Sequence, residues 1–207
     1  MPRPPTSHER TSGRPWDASY QGHDPAPWDI GRPQDAFVRV ASEGGLSGAV
    51  LEAGCGTGEH ALLAASLGLR VLGVDLAATA IELARSKAAA RGIDAEFEVA
   101  DAFELDRLGR NFDTVLDCGL FHTCDEDERS RYVASVASVT RHDGTLYVLC
   151  FSDDAPAIGP HPIRQDELRS SFSQQSGWNV DRVEPAMIQT TFMEQGVPAW
   201  FATVTRL

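Results

Sequence analysis

Residues 50–58, Val-Leu-Glu-Ala-Gly-Cys-Gly-Thr-Gly, narrow what this chain can fold into more than any other stretch. An apolar run leads into Gly54, Gly56 and Gly58, and a helical pattern with Leu63 and Leu67, closed by Gly68, begins where the glycines end. The spacing predicts a strand, a tight turn and a helix N-terminus. A second apolar run over 70–74 delivers Asp75 at its carboxyl end, where two carboxylate oxygens can accept the paired hydroxyls of a ribose. Gly54 ends the first strand, while Gly56 and Gly58, lacking Cβ, leave bare backbone against which a ligand can lie. The unit reads as a nucleoside-binding site.

A dinucleotide fingerprint would space its glycines as Gly-x-Gly-x-x-Gly, but the place of the third glycine is here taken by Glu59. An acid at a helix N-terminus is a poor host for a pyrophosphate, so the expected ligand carries no phosphate there. Further strands are predicted over 97–102, ending in Asp101 and Ala102, over 112–119, and over 144–151 after a turn at Arg141-His142-Asp143-Gly144. Helices are predicted over 35–42, where Phe37, Val38 and Ala41 share a face, and over 125–140. In the latter, four leading acids suit the positive end and Tyr132, Val136 and Val139 form an apolar stripe. The tail adds a helix over 165–174 and strands over 178–184 and 199–205. Strands alternating with helices and closed by an antiparallel pair predict an α/β fold, a doubly wound, seven-stranded, mostly parallel sheet. Residues 1–24, with Pro2, Pro4, Pro5 and Pro15 and no periodicity, are expected to be a flexible segment. Residues 25–207 form one domain, with 25–45 as an N-terminal lid and helix.

The formal net charge of −12, with no basic cluster to offset it, disfavours nucleic acid and anionic membrane surfaces as partners. No run approaches the roughly 20 apolar residues of a membrane span. The four cysteines, Cys55, Cys118, Cys124 and Cys150, follow neither a disulfide framework nor a zinc pattern, and no signal peptide opens the chain. The chain therefore reads as cytoplasmic. No metal is expected, because Cys118, His122 and Cys124 lack a nearby fourth ligand.

Taken in order, these motifs resemble those of the class I S-adenosylmethionine-dependent methyltransferases, a Rossmann-like fold whose first motif has the same Glu-x-Gly-x-Gly-x-Gly form. The resemblance implies S-adenosylmethionine as cofactor, held by Glu52, Gly54, Gly56, Gly58, Asp75, Leu76, Asp101, Ala102 and Asp117. The tetrapeptide that marks DNA amino-methylating members is absent after the fourth strand. The flanks, Ala26 through Gln34 with Asp117-Cys118-Gly119-Leu120-Phe121-His122 and Cys150-Phe151-Ser152-Asp153, resemble small-molecule enzymes related to thiopurine methyltransferase, and more closely the heterocyclic toxin methyltransferases. That likeness implies a small-molecule acceptor, an oxygen or sulfur nucleophile on an aromatic or heterocyclic compound. Methylation of a halide, chalcogen or simple thiol, and a non-catalytic cofactor-binding module, stay open beside it.

In related enzymes an N-terminal tryptophan closes over the cofactor, and Trp28 is assigned that role, with a plain core anchor as its alternative. Arg32, Phe121 and His122 are expected at the acceptor. His122, with an ordinary pKa of about 6.5, is expected to take the acceptor's proton, or, for a strongly acidic acceptor, only to orient its anion. The loop 153–162 is expected to flank the acceptor, and no residue in it names a substrate.

Overall fold

The computed structural model describes residues 3–156 and 160–207. Seven strands, β1 (Ala49–Ala53), β2 (Arg70–Asp75), β3 (Glu96–Val99), β4 (Phe112–Cys118), β5 (Thr140–Phe151), β6 (Trp178–Ile188) and β7 (Val197–Arg206), form one sheet in the order β3-β2-β1-β4-β5-β7-β6. All pairings are parallel except those of β7, which runs antiparallel to both β5 and β6. The expected doubly wound sheet is present.

Helices α1 (Ser7–Ser12), α2 (Asp35–Ser42), α3 (Glu59–Ser66), α4 (Ala78–Arg91), α5 (Glu126–Val139) and α6 (Gln165–Ser171) cover its two faces and one rim. Side chains alternate across a strand, and the two cores follow from that alternation. Leu51, Val115 and Val148 face one core with Tyr132, Val136 and Trp178, whereas Val50, Leu116 and Leu149 face the other with Phe37, Leu62 and Ile81. Both faces of the central strands are buried, which is why they read as unbroken apolar runs. The turn expected at 141–144 is instead a bulge inside β5, where Asp143 adopts φ 62° and the register with β4 shifts.

The N-terminal segment departs from expectation. Residues 6–20, predicted to be mobile, hold α1 and a 3₁₀ turn (Trp16–Ser19) docked on the domain. Thr6 and Glu9 form a reciprocal capping box, the Ser7 N–H donates to Glu128 at 2.7 Å, and Arg10 pairs with Asp125 and Glu128. Asp17 accepts from the Thr79 N–H at 2.7 Å. Of the prolines that suggested disorder, Pro2, Pro4 and Pro5 precede this helix and Pro15 precedes the 3₁₀ turn, while the helix end is marked by Gly13 at φ 67°. Thr6-Ser7-His8-Glu9 carries the capping-box signal for this helix.

Candidate functional site

The strand order reverses between β1 and β4, and the crevice of an open parallel sheet lies beyond the carboxyl ends at such a point. Here a cavity of about 360 Å³ opens there, lined from both strand ends and roofed by the N-terminal segment.

One end is built by residues 54–57, 75–76 and 100–103. Asp75 accepts the Gly56 N–H on one oxygen and the Ala77 N–H on the other, both at 2.8 Å, so each keeps a further lone pair for a ligand. Burial raises its pKa, opposed by those same N–H groups. Gly56 sits at φ 50°, and a Cβ there would lie 3.0 Å from the Tyr20 hydroxyl, so the loop admits no larger residue without displacing the cavity wall. Leu76, Asp101, Ala102 and Gly54 also line this end.

Two residues expected at the cofactor, Gly58 and Asp117, lie outside the cavity lining, and a third, Glu52, is held by the scaffold. Gly58 does not reach the cavity: it caps α3 at φ 82°, and a Cβ on it would meet Phe97 at 2.5 Å, so close packing is what requires the glycine. Glu52 touches the cavity but commits both oxygens to the scaffold, one to His60 Nδ1 and one to the Ala61 N–H, each at 2.7 Å. Asp117 is fully buried and accepts from Tyr132 Oη at 2.7 Å and from the Leu120 and Phe121 N–H groups. Burial pushes its pKa up to about 6 against those donors. It shapes the loop that carries Gly119 and His122 and lies outside the cavity lining. Glu59, the acid that argued against a phosphate, pairs with Lys87 and Arg91 at 2.8 Å. Burial would raise its pKa, but those two cations bring it below the usual value.

Tyr20, beside Gly56, and Trp28 stand between the two ends, and the other end gathers Arg32 and His122 with residues the sequence did not flag, among them His8, Trp16, Gln34, His60 and Phe192. Trp28 donates from Nε1 to Tyr20 Oη at 3.0 Å and stands edge-on to Trp16, 5.9 Å between ring centroids. Arg32 pairs with Asp35 at 2.7 Å on the rim. Phe121 is corrected: it is fully buried against Phe172 and Tyr132, because the 3₁₀ turn Phe121–Thr123 sends adjacent side chains to different sides, and His122 and Thr123 line the cavity while Phe121 does not. Of the loop 153–162, residues 157–159 lie outside the described residues, Pro160 lines the cavity, and His161 Nε2 is 3.1 Å from Ser7 Oγ.

His122 is oriented by two contacts. Its ring stacks on Phe151 at 4.2 Å, and its Nδ1 accepts the Phe151 N–H at 2.9 Å. A nitrogen that accepts an N–H carries no proton, so the ring hydrogen sits on Nε2, assigned from the bonding partner. Burial lowers the pKa to about 3, helped by the facing His161, His8 and Arg129. The expectation of a general base is therefore corrected: at neutral pH this ring is an uncharged Nε2–H donor. His60 has both nitrogens engaged, since Nε2 accepts the Gln34 N–H at 3.1 Å. Gln34 in turn clamps the Gln189 backbone, with its side-chain oxygen accepting from the N–H at 2.7 Å and its amide donating to the carbonyl at 2.9 Å. This clamp holds the β6–β7 hairpin that brings Phe192 to the cavity. Among the described residues, no group of three His, Cys, Asp or Glu side chains is placed to hold a metal ion. No described helix is long and apolar enough to cross a membrane.

A family model described as a methyltransferase domain matches residues 50–144. A 2-heptyl-1-hydroxyquinolin-4(1H)-one methyltransferase from Mycobacteroides abscessus is 36% identical over 183 residues, spanning 84% of this chain and 80% of that protein. A structure solved for the conversion of a disulfide bond into a thioacetal group during echinomycin biosynthesis is 39% identical, with a TM-score of 0.82 over 92% of this chain and 91% of the other. The fold is also shared with magnesium protoporphyrin IX methyltransferase from Synechocystis PCC 6803 with bound S-adenosylmethionine. That likeness has a TM-score of 0.65 at 23% identity and covers 83% and 76% of the two chains.

Proposed function

The chain belongs to the S-adenosylmethionine-dependent methyltransferases that act on small molecules, and from that premise we propose that it methylates an oxygen or sulfur nucleophile on a flat heterocyclic compound. The observation that carries this reading is the Nε2–H tautomer of His122, fixed by the bond at Nδ1, on a ring that lines a cavity also lined by aromatic rings. A donor so placed holds an acceptor oxygen or sulfur through a lone pair and favours its anion. The relative that methylates a hydroxyquinolone supports oxygen, and the thioacetal-forming relative supports sulfur.

The residues at the other end fit the cofactor. Asp75 would accept the ribose hydroxyls, the Gly54–Gly56 backbone would lie along the amino-acid part, and Asp101 with Ala102 would flank the base. Trp28 and Tyr20 would cover it. The carboxylates of Asp29, Glu52, Asp75, Asp101 and Glu128 around the cavity suit a cation. When bound, the cofactor supplies a methyl carbon on a positively charged sulfur, with a neutral thioether as leaving group. The protein's part is positional, holding the nucleophile in line and excluding water. Trp28 and the N-terminal roof perform the exclusion, and His122 sets the direction.

The test is turnover with labelled cofactor against hydroxyquinolones, hydroxyquinolines, aromatic thiols, aromatic disulfides and halides. His122→Gln, which keeps an N–H donor, should retain much of the wild-type rate on hydroxyquinolones, whereas His122→Ala should lose about 10²-fold or more. Turnover confined to halides would overturn the proposal.

A further inference from the structure

Three histidines line the cavity, His8, His60 and His122, and their hydrogen bonds give them different chemistry. Both nitrogens of His60 are engaged by Glu52 and Gln34. His122 is a donor with its lone pair already used. His8 is held by stacking instead: its ring lies 4.0 Å from that of Trp16 with the planes 15° apart, and edge-on to Trp28 at 6.3 Å. Among the described residues neither nitrogen of His8 has a hydrogen-bond partner. Burial holds its pKa below the usual value although Glu9 pulls it up, so one nitrogen carries a free lone pair at neutral pH. The helix that presents it is tied to α5 through Glu128 and Asp125.

The carboxylates that line the cavity are each tied to the scaffold by at least one hydrogen bond. Asp29 accepts from Thr57 Oγ1 at 2.8 Å, Glu128 from the Ser7 N–H, Asp75 from two N–H groups and Asp101 from the Phe103 N–H. Among the three histidines that line the cavity, His8 is the one whose ring keeps a lone pair without a hydrogen-bond partner among the described residues, on the same cavity as the donor His122.

We propose that His8 is a catalytic residue of the methyl transfer, the side chain that takes the proton from the acceptor's hydroxyl or thiol while His122 holds the same group by donation. The inference rests on the acceptor reading above. In the step, the acceptor's O–H or S–H bond breaks and the proton passes to the free ring nitrogen of His8. The electron pair left on oxygen or sulfur forms the bond to the methyl carbon. The bond from that carbon to the sulfonium sulfur breaks, its pair staying on sulfur. His8, now an imidazolium, returns the proton to water after product leaves.

The experiment compares wild type with His8→Phe, which keeps a stacking ring and removes both nitrogens, and with His8→Ala. Two acceptors are used, one whose hydroxyl stays protonated at the assay pH and one already ionised. His8→Phe should lower kcat about 10²-fold or more on the protonated acceptor and only a few-fold on the ionised one. Cofactor affinity by calorimetry should hold within a factor of about three, since no cofactor contact is removed. Added imidazole should restore part of the turnover of His8→Ala on the protonated acceptor. Equal losses on both acceptors, or His8→Phe matching wild type, would overturn the proposal. Wild type that methylates none of the heterocyclic acceptors would overturn the acceptor reading, and this inference with it.

Discussion

The two ends of the cavity are built in opposite ways. The end proposed for the nucleoside comes from residues 54–57, 75–76 and 100–103, each at the carboxyl end of one of three adjacent parallel strands, and much of what it offers is backbone. The acceptor end takes side chains from α1, from the 26–34 segment, from the turn after β4, from the end of β5 and from the β6–β7 hairpin. Sheet register fixes the first, because Ala53 pairs with Val74 and with Asp117, which sets where each strand stops relative to its neighbours. Long-range contacts fix the second: Gln34 on Gln189, Glu128 on Ser7, Asp17 on Thr79. One end is set by the fold, and the other by which side chains the fold brings together.

The largest effect expected from that difference is at Asp75. Two charge-assisted hydrogen bonds to a ribose, at about 1.5–3 kcal/mol each, make Asp75→Ala weaken cofactor binding about 10²-fold or more. The melting temperature without cofactor should move by only a few degrees. Titration calorimetry decides, and wild-type affinity in the variant would remove Asp75 from the site.

A smaller effect sharpens the contrast through pH. The folded pKa of His122 is about 3 against a usual 6.5, so between those values the unfolded chain holds a proton on this residue that the folded chain lacks. Stability therefore falls as pH falls through that window. Asp117, with a folded pKa of about 6 against a usual 3.8, works the other way between 3.8 and 6, because there the folded form holds the extra proton. His122→Gln removes the first contribution and keeps the second. Denaturant titrations from pH 6.5 to 4.5 should show wild type losing about 2–3 kcal/mol more than this variant, from 1.36 kcal/mol per proton per pH unit. Parallel pH curves for the two proteins would mean that His122 titrates normally in the fold.

The smallest effect is expected at the rim. Phe192 is 54% exposed, so Phe192→Ala should leave stability and cofactor affinity nearly unchanged. It should raise the KM for a heterocyclic acceptor by about three- to tenfold through lost ring contact. A change in cofactor affinity instead would break the division between the two ends.

The amino-acid sequence by itself determined the sheet, the place of the crevice and the nucleoside end. These rest on short-range signals: apolar runs for buried strands, glycines where the backbone must turn, an acid at a strand end. The placing of Asp75, Asp101 and Ala102 at or beyond strand ends on the crevice was legible for that reason. Tertiary structure decided the rest. Which face Phe121 and His122 present depends on one 3₁₀ turn and on Asp117 beneath it, and the proton on His122 depends on a backbone N–H 29 residues away. Glu52 and Gly58, which the motif alone would place on a ligand, serve His60 and Phe97. His8 was hidden in a stretch rich in proline, and only its capping box marked a helix there. The position of a side chain within a strand–turn–helix unit is fixed by bonds a few residues long. Its partner across the cavity is fixed by packing between segments more than a hundred residues apart, as between Ser7 and Glu128, and a local pattern carries no record of that distance.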